Sequence, residues 1–328
     1  MSTEPATSTS ASAGVGIPGG QAERPTSIPR EGWKQIVKRA WAESKTDHIS
    51  LVAGGVAYAW FLALFPALIA AVSIYGLVAD PAQVERQVTD LASGLPESAE
   101  ELLTDQLRGI ASGSGGALTF GLLISVLLAL WSASGGVAGL MEAINIAYDE
   151  QDNRSFVKKR GLALLLTLGA IVFFAIAIGL VAVLPVLLEQ LGLGPVATAL
   201  VQVGRWVGVV LAVIAALAVL YRVAPDRDAP RLRWVSVGSV VATLVWVIAS
   251  IGFSLYVDNF GSYSRTYGSL AGVAVLMLWF FVTAFIILLG AEINAESEQQ
   301  TLRDSTVGEP EPMGQRGATK ADTAPPTT

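Results

Sequence analysis

Cysteine is absent from this chain. That removes disulfides, thiolate metal sites and cysteine nucleophiles together. Histidine is nearly absent as well: His48 stands alone, so metal-dependent hydrolysis has no set of imidazole ligands to draw on. Charge is scarce. Only 15% of the 328 residues are Asp, Glu, Lys or Arg, where a soluble domain carries about a quarter. Residues 1–32 are rich in Ser, Thr, Ala, Pro and Gly and lack the apolar core of a signal peptide. Residues 298–328 have similar composition. Both stretches read as disordered tails.

What the chain has in quantity is apolar residues, 52% of the total, with a mean hydropathy of +0.56. They are gathered into six segments free of Asp, Glu, Lys and Arg: Ile49–Ala79, Ala117–Met141, Gly161–Leu188, Trp206–Tyr221, Val235–Val257 and Thr266–Ala291. At 1.5 Å rise per residue, about 20 apolar residues cross the hydrocarbon core. Five segments are long enough outright. The fourth becomes so if it starts near Val196 and carries Arg205 within it. The expected fold is therefore an all-α integral membrane protein, a six-transmembrane-helix bundle over residues 33–297. Its spans lie near 49–79, 117–147, 161–188, 197–221, 235–257 and 266–293.

Loop charge gives the orientation. Seventeen of the 21 Lys and Arg residues fall before span one, after spans two and four, and in the C-terminal stretch. Arg86, Arg108, Arg205 and Arg265 are the four on the other side. The positive-inside rule predicts a cytoplasmic-membrane protein with both termini in the cytoplasm. The one long extracytoplasmic loop, between spans one and two, reads as amphipathic helix. Asp80-Pro81 suits a helix start, Ser98 and Glu101 form a capping box, and apolar residues recur at helical spacing.

Polar residues inside spans are costly and should face the bundle interior. Asp47, Ser50, Gly54, Tyr58 and Phe65 fall on one face of span one, with Pro66 expected to kink the helix, and Pro185 likewise in span three. The alternatives are a packing face and a polar cavity wall. Glu142 and Asn145 are neighbours at the end of span two, either as structural hydrogen-bonding groups or as a proton or substrate site. Arg205 beside Trp206 reads as an interface anchor or a buried cation for an anion. Glu292 marks the exit of span six. Gly135 with Gly139, and Gly268 with Gly272, are small-xxx-small pairs expected at close helix contacts. No cofactor or metal site is expected. Membrane lipids are the expected partners and nucleic acid is not, with a second copy or an envelope partner left open.

Several stretches together resemble one family. They are Ala57-Tyr58 through Phe65-Pro66, Trp131-Ser-Ala-Ser134 followed by Glu142, Asn145 and Tyr148, and Leu220-Tyr-Arg-Val-Ala-Pro225. Tyr267-Gly268 and Leu289-Gly-Ala-Glu292 complete the set. In this order, over about residues 33–297, the chain resembles the YihY/BrkB family of bacterial inner-membrane proteins, once labelled ribonuclease BN. The resemblance implies a six-span membrane protein, in a family linked to serum resistance and, by suggestion, to envelope-lipid export. A ribonuclease is disfavoured by the residues themselves. A transporter or flippase-like protein for a lipid, amphiphile or anion is the leading expectation, with an envelope scaffold as the alternative.

Overall fold

A computed structural model describes residues 16–78, 116–183, 194–258 and 269–326. The 80–116 loop helices, Pro185 and Gly268 lie outside the described residues, apart from Gly116 itself, which starts a helix. Eight α-helices follow in order: α1 (Arg30–Thr46), α2 (Ile49–Val78), α3 (Gly116–Ala147), α4 (Phe156–Ile178), α5 (Pro195–Val223), α6 (Leu232–Asp258), α7 (Ser269–Gln299) and the single turn α8 (Thr319–Asp322). A π turn, Gly179–Val183, extends α4. Helices α2 to α7 are long and apolar enough to cross a membrane, so the chain is a six-span membrane protein.

The spans match the uncharged segments because these residues can satisfy their backbone only within a helix once water is removed. Span hydroxyls are absorbed the same way. Thr167, Ser239, Thr243 and Ser250 each donate to the carbonyl four residues earlier, at 2.7 Å. Pro66 lies inside α2 without ending it, since the proline ring removes one hydrogen bond rather than the whole ladder.

Helix α7 is the axis of the bundle. It packs against α1, α2, α3 and α6 and, at its end, against α8. The buried core gathers at the end of the bundle where both described chain ends meet: Ile49, Met141, Ile144, Tyr148, Tyr221, Val235, Leu288 and Ala295. Helix α5, by contrast, has no buried side chain between Val196 and Leu220.

Close helix contact is made by different glycines from those the spacing suggested. A Cβ on Gly238 would sit 2.1 Å from the Gly290 carbonyl oxygen, and one on Gly290 would sit 2.8 Å from Ala242 Cβ. Helices α6 and α7 therefore cross backbone to backbone at these two positions. Between α2 and α3 the tight position is Gly136, 3.0 Å from Ala63 Cβ, with Gly139 in ordinary contact with Ala59. Gly135 has only an Arg160 guanidinium nitrogen at 4.0 Å, and Gly272 has nothing within 4 Å. The i, i+4 pattern identifies faces that permit close approach, but only the register of the opposing helix decides which face is used.

Three features depart from the sequence expectation. Residues 16–32, expected to belong to a disordered tail, are folded, with Ala22 and Ile28 buried in a cluster with Ile36 and Trp234. Helix α1 precedes the first span and ends where His48 takes a left-handed conformation (φ 51°), turning the chain from α1 into α2. The C-terminal stretch, expected to be disordered, is folded against the helix ends. Arg316, almost fully buried, organises it by donating to the carbonyls of Leu302 (2.8 Å), Ala321 (2.7 Å) and Glu311 (3.1 Å). Asp304 nucleates a turn by accepting from Thr306 N and Oγ1 and from Glu311 N, and those donors hold its carboxyl below the usual range although partial burial opposes them. The segment is tied to residues near the start of the chain by Leu302 N to Gly20 O (2.9 Å) and Thr301 Oγ1 to Ala22 O (2.7 Å). Low hydrophobicity signals disorder only when a segment has no surface to fold against. Here the polar end of α7 supplies one.

Candidate functional site

The last turns of α7 place Glu292, Asn294, Glu296 and Glu298 in the protein interior, each 0% exposed. Burying charge in this way is costly unless every group is paired, and most of these groups are. Glu296 Oε2 accepts from Arg39 Nε at 2.5 Å, and its Oε1 accepts from Lys320 Nζ at 2.9 Å. Arg39, on the inward face of α1, also donates to Gln300 Oε1 at 2.7 Å. Lys320, on α8, reaches Asp149 at 2.8 Å. Burial alone would lower the Lys320 ammonium, but the charges of Glu296 and Asp149 override it and hold it above its ordinary value. Glu298 takes a two-pronged pair from Arg227, at 2.7 and 3.1 Å, and a hydrogen bond from Ser305 Oγ at 2.9 Å. The Arg227 guanidinium lies 4.3 Å from the Tyr148 ring centroid, a cation–π contact in a dry setting. Asn294 clamps α6 to α7, accepting from Gly238 N at 2.7 Å and donating to Val235 O at 3.2 Å.

Glu292 is the exception. Neither of its carboxyl oxygens accepts from a cation, an amide or a hydroxyl among the described residues. The Asp47 carboxyl lies beside it, close enough for the two carboxyls to share a proton in a hydrogen bond, and Lys320 and Glu296 also act on it. Burial pushes the Asp47 carboxyl above its ordinary value, and the charge of Asp149 adds to the push. Glu43, one turn earlier on α1, is raised by burial too. Three helix ends therefore bring five carboxyls, Glu43, Asp47, Asp149, Glu292 and Glu296, around one lysine from the C-terminal segment. The left-handed residues His48 and Asp149 (φ 55°) make the turns that allow this convergence.

A second network lies at the same end. Asn145 is buried, donating to Met141 O at 2.9 Å and accepting from Asp226 N at 2.8 Å. Asp226 in turn accepts from Arg154 Nε at 2.9 Å. Asn145 is thus a structural tie between the end of α3 and the α5–α6 loop.

Of the residues singled out in the sequence, Asp47 and Glu292 come together, with Asn145 nearby in a supporting role. Glu142 points away from the cluster and pairs with Lys159. Tyr58 is 58% exposed, Ser50 is exposed and Gly54 borders open space, so this stripe of α2 is not covered by the other described helices. Arg205 bridges spans, donating to Val181 O in the π turn at 3.1 Å with its guanidinium 5.2 Å from the Trp206 ring. The partners Arg39, Arg227, Glu296, Glu298 and Lys320 were not singled out. One signal pointed to them: acids at 292, 296 and 298 directly after an apolar run, with Glu292 and Glu296 one turn apart on a single face.

The profile of the virulence factor BrkB family matches residues 40–314. The chain is 34% identical over 251 residues to the ribonuclease-like protein YfkH of Bacillus subtilis, covering 73% of this chain and 86% of that protein. It is 27% identical over 288 residues to a UPF0761 membrane protein of Aeromonas salmonicida, covering 84% and 93% respectively. A UPF0761 membrane protein of Alteromonas mediterranea is 28% identical over 260 residues, covering 76% and 83%. No solved structure matches the chain.

Proposed function

Since the chain belongs to the virulence factor BrkB family, we propose that it moves a lipid, another amphiphile or an anion across the cytoplasmic membrane, with Asp47 and Glu292 as its titrating pair. The carrying observation is Glu292, wholly enclosed, set against a second carboxyl and, among the described residues, not salt-bridged to a cation. A carboxyl kept only for packing would be compensated, as Glu296 and Glu298 are a turn further on. One set against a second carboxyl inside a membrane helix, with no cation paired to it, points to proton or substrate handling. The loop-charge asymmetry supports placing this end in the cytoplasm. There the C-terminal segment, with Lys320 among the five carboxyls, closes the bundle from the inside.

The test is reconstitution in proteoliposomes. Movement of a fluorescent phospholipid is read by its loss to a membrane-impermeant reductant, and anion movement by an entrapped halide-sensitive dye. The wild type moves one of the two, and Glu292→Gln and Asp47→Asn slow it at least about tenfold, the loss of a group worth ~1.4 kcal/mol in the barrier. No movement of either probe, or equal rates in folded variants, would overturn the reading.

The ribonuclease-like name belongs to the Bacillus relative. For this chain it is the weaker reading, because the described residues hold no group of three or more His, Asp or Glu able to bind a metal. RNA cleavage by nuclease-free preparations would reverse that judgement. A scaffold reading has one observation in its favour, the uncovered stripe of Ser50, Gly54, Gly55 and Tyr58, where an added Cβ at either glycine meets nothing. In-cell crosslinking from position 54 distinguishes it, since a scaffold gives a stoichiometric adduct.

A further inference from the structure

We infer that the outward face of α1 is a docking surface for anionic phospholipid headgroups of the leaflet on the side that bears the termini. This inference stands independently of the transport reading. The basic residues ahead of span one are explained collectively by topology, but the structure sorts them. Arg39 turns inward to Glu296, while Arg30, Lys34, Lys38 and Lys45 lie on the exposed side. The exposed side also carries apolar residues, which a topology signal does not require. Val37 is 57% and Trp41 53% exposed, and half-buried Trp33 continues their line at i, i+4 and i+8.

A solvated helix face carries mixed charge and few large apolar groups. This one carries four basic side chains against one exposed acid, Glu31, which pairs with Lys34 at 3.1 Å. Lys45 Nζ lies 5.5 Å over the Trp41 ring, so the aromatic and the charge occupy one level. Around the helix axis, Trp33, Val37 and Trp41 form one edge and Lys34, Lys38 and Lys45 the adjoining one, with Arg30 set between Val37 and Trp41. Arg30, Trp33, Lys34, Val37 and Lys38 line a shallow open depression. Interleaved aromatic and basic residues on one helix face are the composition of a helix lying in a membrane interface. The position fits, because α1 turns at His48 directly into the first span. The excess of positive charge selects the occupant: a bilayer surface bearing anionic lipid attracts such a cluster, and a neutral one does not.

The chain's lack of cysteine allows a clean test. Full-length Val37→Cys, labelled with a polarity-sensitive fluorophore, is placed in nanodiscs of phosphatidylcholine alone or with one quarter phosphatidylglycerol. Ala42→Cys, exposed on the same helix and about 140° round from Val37, is the reference label. The expected result is blue-shifted emission at position 37, quenched by lipid carrying a nitroxide near its headgroup, several-fold more in the anionic discs. Raising salt from about 0.1 M to about 1 M shortens the screening length from ~10 to ~3 Å and should remove most of that difference. Lys34→Glu/Lys38→Glu should abolish it while the purified protein stays monodisperse. Equal quenching in the two disc types, or persistence after charge reversal, would overturn the anionic selection. Emission at position 37 matching that at position 42 would overturn the lipid contact and leave a protein partner as the occupant.

Discussion

The Arg227–Glu298 pair is the sharpest test of how the buried end is held. Both side chains are 0% exposed, both carboxylate oxygens are engaged, at 2.7 and 3.1 Å, and the guanidinium stacks on Tyr148. Full burial means no discount for solvent screening applies. Arg227→Met strands the Glu298 carboxylate with Ser305 Oγ as its remaining hydrogen-bond donor, and breaking one side of a buried pair costs about 3–5 kcal/mol. The Ser305 bond and proton uptake by Glu298 relieve part of this, so the expected loss is about 3 kcal/mol. The double variant Arg227→Met/Glu298→Met has no stranded charge and should lie within about 1 kcal/mol of wild type. The coupling between the two sites is then at least about 2 kcal/mol. Denaturation by sodium dodecyl sulfate in bicelles, followed by tryptophan fluorescence, measures all four corners of the cycle. A loss below about 1 kcal/mol for Arg227→Met, or a double variant as unstable as the sum of the singles, would refute the reasoning.

Gly238→Ala forces a methyl to within 2.1 Å of the Gly290 carbonyl oxygen and should cost at least about 3 kcal/mol, above ordinary overpacking because backbone must move. Gly272→Ala, with open space around it, should be neutral or slightly stabilising; the same denaturation assay separates the two. His48 has the left-handed φ that a β-branched residue resists, so His48→Val should cost about 1–2 kcal/mol and His48→Gly much less. Truncation after Gln300 removes Lys320 from its five carboxyls, and a thiol at Asp47→Cys should then react with a water-soluble maleimide at least about tenfold faster, the change expected when ~1.4 kcal/mol of closure is lost. Asp47 is raised in the folded protein, so its contribution to stability is fully present below the ordinary aspartate value and is lost as pH rises through the folded one. Asp47→Asn should flatten that slope, as read from unfolding midpoints across the acidic range.

The spans were legible because membrane burial imposes one local rule, a run of about 20 uncharged residues, that needs no knowledge of neighbours. Helix α4 already shows the limit of that rule, since it starts at Phe156, ahead of the uncharged run. Lys158, Lys159 and Arg160 there belong to the helix but not to the hydrocarbon. Glu292 and Asp47 could each be noticed as polar residues at span ends, but their meeting depends on α1 docking against α7. Nothing in either local sequence encodes that contact. Tyr58 shows the reverse: a polar face on a span is expected to turn inward, yet Tyr58 is exposed, because the register of the neighbouring helices and not local polarity decides which face is covered. The C-terminal segment was misread for a thermodynamic reason. Its own composition cannot form a core, yet Lys320 becomes almost fully buried against Glu296 of α7, and Arg316 against the carbonyls of Leu302, Glu311 and Ala321 within the segment.

The central claim, that Asp47 and Glu292 form a titrating element for transport, is tested most directly by flux in proteoliposomes under an imposed pH gradient. Wild-type flux of the lipid or anion probe should change with the gradient, and Glu292→Gln should either abolish flux or leave a residual rate that no longer responds to it. Flux in Glu292→Gln that keeps the wild-type rate and the wild-type pH response would contradict the account.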